Sequence, residues 1–290
     1  MADATLCNVC NTPSRIEDAV EIGLIPSNVR RFQAEKFTVW RCRSCQSLHS
    51  KETIDLAYYY KHYPVQQHRL DLWARVAYSV RLKRLIREGL RRELSLLDYG
   101  CGNGLFVSYL QERGYRNAAG FDPYIPEYAN ENTLSKTYDF VAAQDVIEHA
   151  ETPKKLMERL TSYVRPSGML CIGTPNAVHI NLSQPDRFAL SLHQPYHRHI
   201  LSEAALLQLG KEMGLKPKRI YHRWYYDSLF PTINYRFLQT YVLRAGNMLD
   251  AAFEPPRIGM VMTSPLMLFY ALFGYFFPPR TEMMILFHKP

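Results

Sequence analysis

The hydrophobic pattern is most regular between residues 95 and 225, where short apolar runs alternate with segments of helical periodicity. Such alternation is typical of a parallel α/β sheet, because each buried strand is followed by a helix that covers it. The predicted strands are Ser95–Tyr99, Ala118–Phe121, Phe140–Ala143, Met169–Gly173 and Arg219–Trp224. The predicted helices are Leu105–Arg113, Pro153–Val164 and Ser202–Met213, the last with Ser202 as its cap.

The segments before this core have patterns of their own. Residues 1–50 contain two Cys-x-x-Cys pairs and little helical periodicity. Residues 51–94 contain a tyrosine-rich cluster and then a basic helix over 69–93, whose end we expect Gly89 to weaken. We therefore predict a small amino-terminal module and a helical linker that caps the core.

In the carboxyl-terminal part, the alternation of predicted strands and helices is interrupted, and a strand-like segment follows. Residues 226–280 are rich in Phe, Tyr, Leu and Met, whereas Glu282–His288 is again strand-like. We predict that residues 281–290 supply the last strand of the sheet and that residues 226–280 are inserted before it. Pro265 can begin a short helix with one apolar face, formed by Leu266, Phe269, Phe273 and Phe276.

The inserted segment is apolar enough that a membrane-spanning helix must be considered. Its unbroken apolar part, Leu266–Phe277, has 12 residues, whereas a spanning helix needs about 20. We expect no transmembrane span, and we favour a lid or a dimer interface over a peripheral membrane contact, which stays open as an alternative. The oligomeric state is left open by the sequence.

Composition and charge narrow the class of protein. The 290 residues are 47% hydrophobic and 21% charged, which excludes a disordered or collagen-like chain. The net charge of +8 comes from residues 30–98, where 15 Lys and Arg face 7 Asp and Glu, a difference of 8. This basic amino-terminal third of the chain could bind an anionic partner or a membrane surface, or it could simply be a solvent-exposed face. Six cysteines and no secretory signal favour a cytoplasmic protein.

A glycine-rich loop carries the strongest chemical signal. The predicted strand ending at Tyr99 runs into Gly100-Cys101-Gly102-Asn103-Gly104, and a helix begins at Leu105. Glycines at these positions allow a ligand to lie directly on the backbone, and the helix start offers unpaired N–H groups. Asp122 follows the next predicted strand, 22 residues after Gly100, a separation at which an acid can bind a ribose diol. We therefore expect a nucleotide-like ligand.

The spacing of this loop argues against a dinucleotide. A Gly-x-Gly-x-x-Gly pattern would place its third glycine at Leu105 or Val107. Asp98, two residues before the first glycine, would repel a pyrophosphate and attract an ammonium group. A ligand with a ribose, a cationic amino-acid tail and no phosphate is S-adenosyl-L-methionine.

Four motifs in order resemble the class I S-adenosylmethionine-dependent methyltransferases, in the ubiquinone-biosynthesis-like branch. They are Asp98–Gly104, Gly120-Phe-Asp122-Pro, Tyr138–His149 and Val164–Asn176, and the resemblance covers roughly residues 95–225. It implies a Rossmann-like doubly wound sheet, mostly parallel with an antiparallel last strand. Only 16 residues separate Asp122 from Asp139, so the family's third strand and its adenine contact are compressed or missing here.

The resemblance also implies roles for individual residues. The loop Gly100–Gly104, with Cys101 and Asn103, would hold the methionine part of the cofactor, with Asp98 near its amino group. Asp122 would hold the ribose hydroxyls. Gln144 and Asp145, at the end of the fourth strand, would face the cofactor or the acceptor. The tyrosine run that includes Tyr60 would close over the cofactor, although core packing accounts for it equally well.

The two cysteine pairs predict a metal site. Cys7 and Cys10 are separated by 31 residues from Cys42 and Cys45, and four thiolates can close a tetrahedron on zinc. Such a site keeps no open position, so its role would be structural. Free thiols, or a redox pair, are the alternatives. We expect Cys101 and Cys171 to be small packing residues.

Three histidines are candidates for removing a proton from the acceptor. His149 follows Asp145 at a spacing of four residues, and His193 and His197 lie in the loop before the helix at Ser202. Ligands of open α/β sheets bind at loops of this edge. The segment around His197 also resembles the acceptor loop of related methyltransferases, so we rank His197 first, His193 second and His149 third. Helix capping or backbone bonding is an equally good account of any one of them.

These observations together predict an S-adenosylmethionine-dependent methyltransferase with a structural zinc module. We expect a small-molecule acceptor, such as a sugar or a lipid-linked metabolite, methylated at oxygen, carbon or nitrogen. Two alternatives are a zinc-containing RNA methyltransferase and a non-catalytic nucleotide-binding scaffold. We do not expect nucleic acid, because the sequence shows no Lys- and Arg-rich groove interleaved with aromatic residues and lacks the motif of exocyclic-amine methylases.

Overall fold

The computed structural model describes residues 5–14, 16–63 and 69–290. Parts of the predicted amino-terminal module and of the predicted linker, residues 1–4, 15 and 64–68, lie outside the described residues. The strands are β1 Thr5–Leu6, β2 Pro13–Ser14, β3 Ile22–Pro26, β4 Lys36–Arg41, β5 Leu48–Ser50, β6 Leu96–Tyr99, β7 Ala118–Phe121, β8 Tyr138–Gln144, β9 Val164–Pro175, β10 His199–Ile200, β11 Lys216–Tyr221 and β12 Glu282–His288. The helices are α1 Leu56–Tyr60, α2 Leu72–Arg87, α3 Leu105–Glu112, α4 Pro153–Ser162, α5 Ala189–Leu192, α6 Glu203–Glu212, α7 Tyr235–Arg244, α8 Ile258–Met262 and α9 Pro265–Phe273.

A six-stranded sheet forms the centre, in the order β11-β12-β9-β8-β6-β7. Five strands are parallel, and β12 runs antiparallel between β9 and β11. The predicted doubly wound sheet with an antiparallel last strand is confirmed. Strand β7 is the edge strand next to β6, and short 3-10 turns follow it before β8, so the described residues add no third strand beyond it. The parallel strands bring the ends of β6, β7, β8 and β9 to one edge, the carboxyl edge.

Several elements begin or end a few residues away from their predicted limits. The basic helix covers Leu72–Arg87 rather than 69–93, because the Asp71 side chain caps its start and Gly89, with φ of 106°, follows its end. Strand β9 begins at Val164, where the sequence predicted the end of a helix, because its backbone pairs with β8 from the outset. Strand β11 lies three residues early, because its polar first residues pair with β12 while staying exposed.

The amino-terminal region shares a sheet with the core of the chain. Strands β3, β4 and β5 form an antiparallel sheet whose fourth member, β10, comes from the loop region before α6. His199 pairs with His49 in this sheet. The cysteine-bearing region is thus attached to the segment that also carries His197.

The insertion between β11 and β12 is helical and has a small core of its own around Tyr241, Val242 and Met267. A helix does begin at Pro265, as predicted, and Ser264 caps it. Its apolar side chains remain largely at the surface: Leu266, Phe269, Phe273 and Phe276 are 43–62% exposed. Among the described residues, no helix combines the length and the hydropathy that crossing a bilayer requires.

Candidate functional site

The glycine loop joins β6 to α3 at the carboxyl edge of the sheet. Gly102 has φ of 54°, and a Cβ atom placed there would meet no atom within 4 Å. At Gly104, with φ of 71°, a Cβ atom would overlap the hydroxyl of Tyr128 at 1.9 Å. Gly104 is therefore needed for packing, whereas the face of Gly102 borders open space where a ligand can lie on the backbone.

Asp122 follows β7 and is tied to this loop. Its Oδ2 accepts a hydrogen bond from the backbone N–H of Gly102 at 2.9 Å, and its Oδ1 accepts one from the N–H of Tyr124 at 2.9 Å. A carboxylate has about four lone-pair sites, so Asp122 can also accept two ribose hydroxyls. The ring of Tyr60 stacks on that of Tyr124, with centroids 4.2 Å apart. Tyr60 thus lies next to the predicted ribose site.

Asp98 has a partner that the sequence did not predict. The carboxylate is 3% exposed, and its Oδ1 accepts a hydrogen bond from the guanidinium of Arg81 at 2.5 Å. Arg81 reaches it from α2 and lies 3.9 Å above the ring of Phe106. Burial raises the pKa of Asp98, and the charge of Arg81 opposes that rise. The protein itself therefore balances the charge of Asp98 beneath the loop.

Cys101, Asn103 and Gln144 are also predicted to bind the cofactor. Cys101 packs against Gly120, where an added Cβ atom would meet its sulfur at 2.7 Å. Asn103 lies half-buried in the loop. Gln144, at the end of β8, donates a hydrogen bond from its amide nitrogen to the sulfur of Cys171. Its Oε1 has no hydrogen-bond partner among the described residues, which leaves an acceptor for a ligand.

Asp145 stands at the end of β8 with φ of 53° and is open to solvent. Tyr225 donates a hydrogen bond from its hydroxyl to Oδ2 of Asp145. Surrounding protein raises the pKa of Asp145 to about 6, and the hydrogen bond from Tyr225 opposes this rise. Solvent contact limits the shift, so Asp145 is an ionised acceptor at neutral pH.

A second group of side chains, here called the histidine side, gathers next to Asp145. It consists of Glu148, His149, His193 and His197. The ring centroids of His149 and His197 are 4.9 Å apart, and those of His193 and His197 are 5.1 Å apart. The structure therefore brings the three candidate histidines together, although His193 and His197 lie 44 and 48 residues after His149 in the sequence.

Each histidine is held through its Nδ1 atom. His197 donates from Nδ1 to the backbone oxygen of Ser191 at 2.7 Å, so its Nε2 carries the lone pair. His149 Nδ1 lies 2.6 Å from the hydroxyl of Tyr60, and His193 Nδ1 lies 2.6 Å from Oδ1 of Asn28. Burial lowers the pKa of His197 to about 4 and lowers the pKa values of His149 and His193 as well. All three rings are neutral at pH 7.

Glu148 belongs to the same group, and sequence reasoning did not select it. It is fully buried, with Oε2 accepting a hydrogen bond from the hydroxyl of Thr174 at 3.0 Å. Burial raises its pKa well above the usual range, and the charge of Asp145 adds to this rise. The sequence could have indicated Glu148 as a site residue, because it stands next to His149 in the motif Tyr138–His149.

The four predicted cysteine ligands are close together. The sulfur atoms of Cys7 and Cys45 are 3.7 Å apart, those of Cys10 and Cys42 are 4.0 Å apart, and all four lie within 4.8 Å of one another. Zn–S bonds of about 2.3 Å in a tetrahedron give sulfur–sulfur distances of about 3.8 Å. The donor set and its spacing therefore fit zinc.

His199 points away from the other loop histidines and toward this cysteine group. Its Nδ1 lies 2.9 Å from Nδ1 of His49, whose Nε2 lies 3.3 Å from the sulfur of Cys7. The Nε2 atom of His199 donates to the backbone oxygen of Glu151 at 3.1 Å. A chain of contacts thus connects the cysteine group with the segment that follows His149.

Comparison with known proteins agrees with this arrangement. A family model described as a methyltransferase domain matches residues 70–219, just over half of the 290-residue chain. The chain belongs to this methyltransferase family. The match begins before α2 and ends within β11, so it includes the glycine loop and the histidine side. The sequence-based recognition of a class I S-adenosylmethionine-dependent methyltransferase is confirmed.

Individual relatives are more distant. A ubiquinone biosynthesis O-methyltransferase of Rickettsia felis is 31% identical over 104 residues, which cover 29% of this chain and 42% of the relative. The mitochondrial ubiquinone biosynthesis O-methyltransferase of Dictyostelium discoideum is 26% identical over 114 residues, covering 29% of this chain and 36% of the relative. The match thus spans less than half the length of these curated relatives. A solved S-adenosylmethionine-dependent methyltransferase from Mesorhizobium loti covers 72% of this methyltransferase and 97% of its own chain, at 12% identity and a TM-score of 0.43.

Proposed function

We propose that the protein transfers a methyl group from S-adenosylmethionine to a hydroxyl group of a small-molecule acceptor. The observation that carries this proposal is the open face of Gly102 beside Asp122, whose Oδ2 accepts a hydrogen bond from the Gly102 N–H. Asp145 is a second exposed acid at the carboxyl edge, directly after β8. Acids in these positions suit a ligand with a ribose and a cationic tail and would repel a pyrophosphate. The names of the curated relatives support oxygen as the acceptor atom.

Cofactor binding and acceptor binding are assigned to two sides of the carboxyl edge. Bound S-adenosylmethionine would supply an electrophilic methyl group on a positively charged sulfur. The loop Gly100–Gly104 and Asp122 would fix its position, with Tyr60 covering the ribose side. The histidine side would receive the acceptor hydroxyl, and alignment of that oxygen with the methyl group is the main catalytic contribution we assign to the protein.

Calorimetry with S-adenosylhomocysteine, S-adenosylmethionine and NAD tests the cofactor assignment. Asp122→Asn should weaken the binding of S-adenosylhomocysteine by about 10- to 100-fold, because it removes a charged acceptor of ribose hydrogen bonds worth about 1.5–3 kcal/mol. Glu127→Gln, an exposed acid in the next turn, is the matched control and should bind normally. Tighter binding of NAD, or normal binding by Asp122→Asn, would contradict the proposal.

The acceptor class needs a separate test. Incubation of the protein with radiolabelled S-adenosylmethionine and a fractionated cell extract should label small molecules. Label that appears only in RNA would favour the RNA methyltransferase instead, and its binding should then fall steeply with salt. Tight cofactor binding without any labelled product would favour a non-catalytic scaffold.

We also propose that Cys7, Cys10, Cys42 and Cys45 bind one structural zinc ion. Their sulfur–sulfur distances of 3.7 and 4.0 Å support a tetrahedral site. Elemental analysis of the purified protein should find zinc, and Cys42→Ser should lose about one equivalent and unfold at a lower temperature. Cys101→Ser, outside the group, should keep its zinc. Full zinc content in Cys42→Ser would rule out this site.

A further inference from the structure

Glu148, His149 and His197 form a cluster of potential metal ligands separate from the four cysteines. Glu148 and His149 lie in the turn after β8, and His197 lies in the loop before β10. Each offers one ligand atom, and the three atoms lie within 4.8 Å of one another. Glu148 is fully buried and His197 is 6% exposed, so the cluster is part of the interior and not a chance group of surface residues.

Two of the atoms that face one another within this cluster lack hydrogen bonds. Oε1 of Glu148 and Nε2 of His149 have no partner within the described part of the chain. Nε2 of His197 lies 3.9 Å from Oε1 of Glu148, which is beyond hydrogen-bonding distance. A buried polar atom without a partner costs about 1–3 kcal/mol. A bound cation would give these inward-facing atoms a partner.

The outward-facing atoms of the same three side chains are all held. Thr174 donates to Oε2 of Glu148 at 3.0 Å, and Nδ1 of His197 donates to the backbone oxygen of Ser191 at 2.7 Å. Nδ1 of His149 lies 2.6 Å from the hydroxyl of Tyr60. Outer contacts of this type orient metal ligands and fix which ring nitrogen carries the lone pair.

The hydrogen bonds of the cluster also suit a cation. Nδ1 of His197 carries the ring proton, because it donates to a backbone oxygen, so Nε2 is the nitrogen with the lone pair. A neutral imidazole with such a lone pair is the form that binds metals.

We propose that Glu148, His149 and His197 bind a divalent first-row transition metal ion. Two imidazoles and one carboxylate are a common set for Zn²⁺, Mn²⁺ or Fe²⁺, and three protein ligands leave at least one position open. This site differs from the four-cysteine site, which has no open position and whose thiolates favour softer ions.

The role of the ion rests on the proposed function. An acceptor hydroxyl bound at the open position would lose its proton to solvent water more readily, because the ion stabilises the resulting oxyanion. The oxygen then forms a bond to the methyl carbon, and the carbon–sulfur bond breaks with its electron pair going to sulfur, which becomes a neutral thioether. The lone pairs of His149 and His197 are used for coordination, so these residues would hold the ion and would not accept the proton themselves.

Titration with Mn²⁺, followed by the electron paramagnetic resonance signal of the free ion, tests the site without any methyl transfer. Mn²⁺ favours oxygen and nitrogen ligands over thiolates, so the cysteine site should not compete. The full chain should bind one Mn²⁺. Glu148→Gln and His197→Gln should each weaken binding at least tenfold, the least that loss of even an outer contact causes. His222→Gln is the control, because His222 is an exposed histidine that pairs with Glu203, and it should bind normally.

Two results would overturn this proposal. One is the absence of saturable Mn²⁺ binding by the full chain, together with no Zn²⁺ binding beyond one equivalent. The other is unchanged Mn²⁺ affinity in both Glu148→Gln and His197→Gln. Calorimetry with S-adenosylhomocysteine on the same samples reports whether each variant is folded. It also separates the two proposals, because Mn²⁺ binding without cofactor binding would refute the proposed function and leave the metal site intact.

Discussion

The carboxyl edge has two sides, the glycine-loop side around Gly100–Gly104 and the histidine side, and their buried carboxyl groups have different partners. On the glycine-loop side, Asp98 forms an ion pair with Arg81, and both side chains are at most 5% exposed. On the histidine side, Glu148 is fully buried, and Glu282, 5% exposed, adjoins this group because Ser191 bonds both Glu282 and His197. No arginine or lysine of the described residues pairs with either carboxyl group. Their partners are the neutral hydroxyl groups of Thr174 and Ser191.

This difference suggests a structural role for Asp98 and a chemical role for the buried acids of the histidine side. The charge of Arg81 stabilises the ionised form of Asp98, and this ion pair connects α2 to β6. A buried acid with neutral partners changes its charge when a proton or a metal ion arrives. The charges of the glycine-loop side are thus paired before the proposed cofactor binds, whereas those of the histidine side can change when a ligand binds there.

Removal of Arg81 should have the largest effect on stability. Arg81→Met leaves Asp98 buried without a cation, and breaking a buried pair in this way typically costs about 3–5 kcal/mol. Because burial already raises the pKa of Asp98, protonation can relieve part of this cost, so we expect about 3 kcal/mol. Urea-induced unfolding at pH 7, followed by circular dichroism, measures it.

The same helix offers a matched control for that experiment. Arg75 pairs with Glu112 at the surface, where both side chains are more than a third exposed. Arg75→Met should change the free energy of unfolding by no more than about 1 kcal/mol. Equal effects of the two substitutions would show that the Arg81–Asp98 pair is no more important than a surface pair.

The sequence predicted the parts of the site that depend on local pattern. The glycine loop, the strand before it and Asp122 follow one another along the chain, so spacing alone relates them. The helix at Pro265 and the strand Glu282–His288 were also recognisable from local periodicity, and the structure confirms both.

The contacts between distant segments could not be predicted in this way. Arg81 reaches Asp98 only because α2 packs on α3 with one particular face, and several arginines of this helix have similar surroundings in the sequence. Tyr225, in the segment after β11, bonds Asp145 across 80 residues of sequence. The pairing of β10 with β5 joins segments 150 residues apart through two residues each, which is too short a pattern to recognise.

Glu282 provides a smaller, pH-dependent test of the histidine side. Ser191 donates to Oε1 of Glu282 at 2.9 Å, and burial raises the pKa of Glu282 to about 8. The native state therefore keeps this proton up to about pH 8, whereas the unfolded chain releases it near pH 4.5. Between these values Glu282 lowers the free energy of unfolding as the pH rises, by about 1 kcal/mol per pH unit.

Glu282→Gln should remove this contribution, because the amide keeps the shape and an acceptor for Ser191 without titrating. Urea unfolding of both proteins at pH 5.5, 6.5 and 7.5 should show the wild type losing stability relative to the variant at each step. Glu127→Gln, at an exposed position, should run parallel to the wild type. If Glu282→Gln also runs parallel, Glu282 is ionised throughout, and the histidine side must contain a compensating positive charge as the glycine-loop side does.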